Sequence, residues 1–261
     1  MQVRHETVQI PGIRKGYRLI HLSDIHFSRM TSHEQNRHCS REILRRCRTM
    51  WNISAICITG DLVSRKWNED TLPDAAQLVR ELRKIAPVIL SFGNHEMDLP
   101  VQERRAFVRA MTESGAVMLH NRSIRFGELY LTGLTLPGHV YVNPRGGYTN
   151  LSTISHDMVE NILGGCEGHP HVLLAHSPLG FPAYGQWGAD VVLSGHIHGG
   201  IVRIREQGIL SPERLFFPHF TKGLYTDQET GAKMVLSAGI GKLRFNNPAE
   251  IVCVDLMPEK R

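Results

Sequence analysis

Fifteen histidines in a chain of 261 residues outnumber its six tyrosines and its three tryptophans. Histidine is the commonest metal ligand and the side chain that titrates near neutral pH. Many of them fall in short words rich in ligand types. Asp24-Ile25-His26, Gly60-Asp61, Gly93-Asn94-His95-Glu96, His176 and Gly195-His196-Ile197-His198 each follow closely on a short apolar run. Two ligand types one residue apart on an extended segment can turn around a bend toward one ion, so Asp-x-His and His-x-His are workable ligand pairs. The glycines ahead of Asp61, Asn94 and His196 let the backbone turn sharply and keep a cavity open. Alone, each word has an ordinary explanation as a turn, a cap or a structural histidine pair. Five in series, each at the end of an apolar run, read as a metal site.

Alternating elements must position these words. Residues 17–22 read as a strand. Residues 33–50 read as a helix with Ile43, Leu44, Cys47 and Met50 on one face. A strand over 53–58 is followed by a helix over 73–85, whose stripe is Ala75, Leu78, Val79, Leu82 and Ile85. A strand over 87–92 and a helix over 100–114, stopped by Gly115, complete the first half. Short strands follow at 116–119, 123–126 and 129–134, with a tight turn at Gly127-Glu128. Next come a loop over 137–147, a short helix over 157–163, and strands at 172–175 and 190–193. Residues 1–8 and the segments 201–205, 233–238 and 251–256 are also strand-like. A doubly wound parallel sheet would need helices throughout. This order instead predicts an α/β fold, a four-layer αββα sandwich of two mixed β-sheets flanked by helices. Open α/β sheets bind ligands at the carboxyl ends of their strands, which is where the five words lie. With no repeat or linker, residues 1–261 read as a single domain.

Apolar residues at 41% and charged residues at 21% are ordinary globular usage and exclude disordered, fibrous and coiled-coil chains. A membrane helix needs ~20 mostly apolar residues, and the apolar runs here are far shorter. Nothing at the start resembles a signal peptide, so the expected location is cytoplasmic. The net charge of +5 suits an anionic ligand or surface. Arg37, Arg41, Arg45, Arg46 and Arg48 lie on one predicted helix, and Arg41, Arg45 and Arg48 share a face. That face reads either as a solvated surface or as a contact for an anionic membrane or nucleic acid; the membrane option would place the protein at its inner face. Aromatic residues do not alternate with the basic clusters, as a single-strand nucleic-acid platform would require. No dedicated nucleic-acid-binding domain is visible, and no protein partner can be inferred. Five cysteines without a C-x-x-C pair read as reduced and structural.

The order D-x-H, G-D, G-N-H-E, H, G-H-x-H resembles that of the calcineurin-like metallophosphoesterases over residues 19–200, with no signature position missing. Gly199-Gly200, Lys222-Gly223-Leu224-Tyr225, Ser237-Ala238-Gly239-Ile240-Gly241 and Arg244-Phe245-Asn246-Asn247-Pro248-Ala249-Glu250 are similar to the YkuE/YaeI-like bacterial phosphoesterases. The resemblance implies the metallophosphoesterase fold and two divalent metal ions. Mixed carboxylate, imidazole and amide donors suit Mn, Fe or Zn rather than Ca. One ion would take Asp24, His26, Asp61 and His198; the other would take Asp61, Asn94, His176 and His196. Asp61 would bridge, and a hydroxide between the ions would be the nucleophile. Two ions ~3.5–4 Å apart can clamp both the attacking and the leaving oxygens of a phosphoester. His95, with its neighbour Asn94, would form the catalytic pair facing the substrate, His95 protonating the leaving oxygen or stabilising charge. Glu96 would orient a neighbouring group or cap the next segment. His21 faces the sheet and reads as a core histidine.

The substrate is expected to be a phosphoester, hydrolysed at a phosphodiester or pyrophosphate bond. Relatives with this branch's motifs include enzymes acting on the pyrophosphate of UDP-2,3-diacylglucosamine, so the resemblance favours a lipid-linked substrate. Residues 208–220 are apolar and Pro-rich, and long irregular segments beside a site are often functional. They would pack against the domain or form a cap over the site, with Phe216, Phe217 and Phe220 touching an acyl chain. The alternatives are a soluble phosphodiesterase acting on nucleotides or other small phosphodiesters, and a nuclease. A non-catalytic protein-binding scaffold of the same fold would be expected to have lost ligands, and none is lost here.

Overall fold

Side chains of residues 4–10 alternate between more and less exposed positions, which suits an outer strand, and they form most of β1 (Gln2–Ile10). This computed structural model describes residues 1–28, 30–64, 71–143, 145–148, 150–166, 168–200, 202–204, 207–210, 218–241 and 246–259. After β1 come β2 (Tyr17–Leu22), α1 (His33–Arg48), β3 (Ile53–Thr59), α2 (Leu72–Arg83), β4 (Val88–Ser91), α3 (Asn94–Met97), α4 (Val101–Glu113) and β5 (Ala116–Leu119). Then follow β6 (Arg122–Phe126), β7 (Leu129–Leu134), α5 (His156–Leu163), β8 (His171–Ala175), α6 (Phe181–Trp187) and β9 (Val191–Ser194). The chain continues through β10 (Val202–Ile204), β11 (Gln207–Leu210), β12 (Gly223–Thr226), β13 (Lys233–Leu236) and β14 (Glu250–Pro258).

Two six-stranded sheets result, ordered β1-β14-β2-β3-β4-β5 and β12-β13-β9-β8-β7-β6, with β10-β11 as a separate hairpin. Both are mixed. β14 is parallel to β1 and antiparallel to β2, while β12 and β6 run antiparallel to their neighbours β13 and β7. Successive side chains of a strand point to opposite faces, and the core follows that rule. Leu19 packs between the sheets with Cys57, Leu131 and Leu174. Its neighbour Ile20 packs under α1, α2 and α4 with Ile43, Leu78 and Phe107. On the far side Leu173 and Val192 pack under α5 and α6 with Val159 and Tyr184. Each such side chain, fully buried, is worth ~1.5–3 kcal/mol. The expected four layers are therefore present.

α1 starts with a capping box in which Ser32 and Gln35 bond each other's backbone N–H groups, and Pro73 stands in the first turn of α2. Besides the single turn α3, three elements depart from the sequence reading. α6 is absent from that reading, because glycine and proline interrupt Phe181-Pro182-Ala183-Tyr184-Gly185-Gln186-Trp187. Pro182 sits in the first turn, where a missing N–H costs nothing, and left-handed Gly188 (φ 115°) closes the end. β12 falls between the strand-like segments 201–205 and 233–238, where the sequence reading places no strand of its own. β11 takes the start of the segment expected to be an irregular loop over 208–220; residues 211–217 of that segment lie outside the described residues.

Candidate metal centre

The turns after β2 and β3 run side by side. His26 N donates to Asp61 O and Phe27 N to Leu62 O, both at 2.9 Å. The strand pairing thus continues past the strand ends and brings Asp24 beside Asp61. The bends are made by the candidate ligands themselves. Asp24, His26, Asp61, His196 and His198 have φ of 53°, 57°, 52°, 70° and 53°, a region in which Asp, Asn and His are enriched among non-glycine residues. Strained backbone of this kind persists where the surroundings over-determine it, commonly at functional sites. Among the nearby glycines, Gly60 makes a left-handed turn at φ 80°. Gly93 and Gly195 serve another purpose, since a Cβ there would strike the Asp61 carboxylate and Ser23 with Asp24, respectively.

Both carboxylates are held by backbone donors. Asp61 Oδ1 accepts from His95 N at 2.9 Å, and Asp24 accepts from His196 N at 3.1 and 3.2 Å. Asp61 Oδ2 is then left 3.2 Å from His176 Nε2, 3.7 Å from His26 Nε2 and 3.8 Å from His95 Nε2. Asp24 Oδ1 lies 3.4 Å from His198 Nε2 and 3.8 Å from both His26 Nε2 and His176 Nε2. The His26 and His198 rings stack at 5.0 Å, with their Nε2 atoms 3.2 Å apart. Three groups of donor atoms lie within 4.8 Å of one another: Asp24, His26 and His198; His26, Asp61 and His95; and Asp61, His176 and His196.

Two buried atoms fit a cation. His176 Nδ1 bonds the carbonyl of Thr59 at 2.7 Å, so Nδ1 carries a hydrogen and Nε2 is the ring atom turned toward the two carboxylates. That Nε2 and Asn94 Oδ1 are both buried without a hydrogen-bond partner, which native structures rarely tolerate unless something else satisfies the group. Burial opposes charge on His176, but the Asp61 and Asp24 carboxylates outweigh it and push the imidazole up to about 10. Burial likewise opposes charge on Asp24, and His198 and His176 overcome it, holding the carboxyl down to about 2. The cluster is built to hold positive charge between two carboxylates, and its nitrogen and oxygen donors match a divalent transition metal.

Three supporting residues escape the sequence reading, or enter it only as alternatives. Buried Glu96 accepts from the backbone N–H groups of Asp61 at 2.9 Å, Gly93 at 2.8 Å and Val63 at 3.1 Å. It therefore both caps its own helical turn and ties the Asp61 loop to the Asn94 turn. Asn247 Nδ2 donates to the carbonyls of His198 and Gly200, fastening the His196–His198 turn. The edge of the Tyr141 ring meets His196 at 5.0 Å. Glu96 stands next to the motif in sequence, but Tyr141 and Asn247 carry no local signal. His21 is a core histidine, bonded to Thr59 Oγ1 at 2.8 Å and pushed down to about 3 by burial. Phe220 packs edge-on against Phe181 and Tyr225; Phe216 and Phe217 lie outside the described residues. On α1, Arg45 and Arg46 both pair with Glu42, and Arg48 pairs with Glu81.

Residues 17–200 match the family model of the calcineurin-like phosphoesterases. The chain belongs to that family. Its members are metal-dependent phosphoric ester hydrolases, in agreement with the donor clusters above. Two relatives are both described as uncharacterized metallophosphoesterases. YkoQ of Bacillus subtilis is 27% identical over 89% of this chain and 79% of its own length. Cj0846 of Campylobacter jejuni is 27% identical over 99% of this chain, which spans 64% of that relative. Among solved structures, TT1561 of Thermus thermophilus shares the fold of this phosphoesterase at a TM-score of 0.53 and 12% identity, covering 87% of this chain and 90% of that one. Among the described residues, no helix is long and apolar enough to cross a membrane.

Proposed function

We propose that the chain hydrolyses a phosphodiester or pyrophosphate bond at two divalent ions. One is held by Asp24, His26, Asp61 and His198, the other by Asp61, Asn94, His176 and His196. The observation that carries this reading is the place of Asp61 Oδ2, within 3.8 Å of His26 Nε2 in one set and of His176 Nε2 in the other. Mn, Fe or Zn fits the mixed donors. When bound, the ions would acidify a water and offset charge building on the phosphoester oxygens. The chain's own residues do the rest. Asn94 fixes the turn that presents His95, which stays half-exposed while Asn94 is buried. His95 donates a proton to the leaving oxygen, and Glu96 holds that turn against the Asp61 loop. The test is Asp61→Ala: bound metal should fall and turnover should vanish. A variant that keeps two metals per chain and turns over normally refutes the assignment.

The substrate in this reading is lipid-linked, with residues 208–220 meeting its acyl part. Leu215, Phe216 and Phe217 support this in sequence, and exposed Arg37 and Arg41 on α1 suit a peripheral contact with an anionic membrane. A Phe216→Ser, Phe217→Ser double variant with an unchanged melting temperature should lose activity on a diacyl substrate and keep it on a short aryl phosphodiester. Equal loss on both makes the two phenylalanines core residues. No loss on either moves a soluble phosphodiester ahead.

A further inference from the structure

Beside the metal-ligand cluster, Arg104 and His120 carry no acidic partner among the described residues. β4 and β5 are parallel, with Ser91 opposite Leu119, so Phe92 and His120 leave the sheet side by side, about one strand spacing of ~4.8 Å apart. Phe92 leads straight into Gly93-Asn94-His95, and its ring meets His120 edge-on at 5.2 Å. Across the gap between the sheets, His120 Nδ1 lies 2.9 Å from Thr135 Oγ1. Thr135 follows β7, whose Leu134 stands opposite Ala175 of β8, and the next residue of that neighbouring strand's chain is His176. His120 is therefore flanked by the segment bearing Asn94 and His95 on one sheet and by the His176 strand on the other. Thr135 can donate to Nδ1, which places the ring hydrogen on Nε2.

Arg104 joins it from α4. Its Nη1 donates to the carbonyl of Met97 at 2.9 Å, the last residue of the turn that begins with Asn94 and His95. Burial and, after it, the Arg104 charge push the His120 imidazole down. Among the described residues neither side chain bonds an acid. A neutral imidazole offering Nε2–H and a guanidinium close enough to depress it can together donate to one anion; guanidinium is the group best shaped to hold one.

We infer that Arg104 and His120 form a subsite for a second anionic group of the substrate, next to the scissile phosphoester. The pair stands outside the three donor groups, so it would seat a neighbouring phosphate rather than the reacting one. This rests on the phosphoesterase reading above and names what that site prefers: a substrate with a further phosphate on the His95 side.

The test compares methylenediphosphonate, a pyrophosphate analogue whose P–C–P bridge is not hydrolysed, with inorganic phosphate as ligands of the metal-loaded protein, freed of unbound metal, by calorimetry. The wild type should bind the diphosphonate more tightly than phosphate. His120→Ala and Arg104→Gln, and above all the double variant, should shrink that ratio by about tenfold to hundredfold, the usual worth of hydrogen bonds to a charged group. His120→Glu should shrink it further. Reading the ratio separates loss of the subsite from damage to the metal centre, which weakens both ligands alike. An unchanged ratio overturns the inference, and so does an equal weakening of both. If the wild type hydrolyses no phosphoester, the proposed function falls, while the binding ratio still decides the subsite.

Discussion

Strand β8 has a histidine at each end, His171 where it starts and His176 just after it stops. Both are buried, and both have an aspartate nearby. At the start, Asp190 Oδ2 accepts from His171 N at 2.7 Å and lies 3.2 Å from His169 Nδ1. His171 Nδ1 lies 3.1 Å from Thr132 Oγ1, and its ring stacks on Tyr130 at 5.0 Å. At the finish, His176 Nε2 and Asn94 Oδ1 are buried without a hydrogen-bond partner, and five neighbouring residues hold left-handed backbone. The residue types are the same, and the hydrogen-bond accounting differs. A histidine–aspartate cluster that satisfies itself is structure. One that leaves buried donor atoms open and strains its own backbone is arranged for something else to enter.

Substitutions at the two ends should separate along the same line. The largest effect in this set belongs to His95→Ala. Turnover should drop ~10²–10⁴-fold, the usual worth of a general acid, with metal content retained. The loss should be smaller for a nitrophenyl ester, whose leaving group needs less protonation; an equal loss on good and poor leaving groups argues against proton donation. Glu96→Gln comes next. Its amide can accept with one oxygen but sets an NH₂ group against backbone N–H donors. Metal retention, read by dialysis against a chelator, should weaken ~10–100-fold, as for partners that orient metal ligands; unaltered retention would make Glu96 a helix cap and nothing more. The smallest effect belongs to Asp190→Ala at the other end of β8. It should cost ~1–2 kcal/mol through lost hydrogen bonds and lower the melting temperature by a few degrees, with turnover kept. Loss of metal on this substitution would erase the distinction between the two ends.

Most of the fold is legible because the apolar spacing of residues such as Ala75, Leu78, Val79 and Leu82 admits one helix face, and because the strands are short apolar runs. Those residues are buried in α2 as the stripe requires. α6 escapes because its glycine and proline imitate a loop, while its burial depends on Phe181, Tyr184 and Trp187 meeting partners remote in sequence. At the site, the words with their own local spacing are readable. The grip on them is not: Asn247 reaches back to His198 across 49 residues that include β12 and β13. The glycines need two reasons where the sequence suggests one, since a close approach between Gly93 and Asp61 exists only after β3 and β4 pair.

The insertion of β14 between β1 and β2 has a consequence for biosynthesis. Gln2 pairs with Glu250, so the sheet carrying Asp24 and Asp61 joins strands from opposite ends of the chain. Contacts of such long sequence separation form late, because the loop they close is costly before any reward arrives. On the ribosome, β1 and β2 must wait with open edges until residues 250–258 emerge. The turn around Gly239–Gly241, which bonds the backbone of Ser23 and Asp24, is made in the same late stretch, as is Asn247. Assembly of the ligand words is thereby coupled to the synthesis of residues 239–258, and a nascent chain released before them would carry every ligand word without the strand and turn that hold them together.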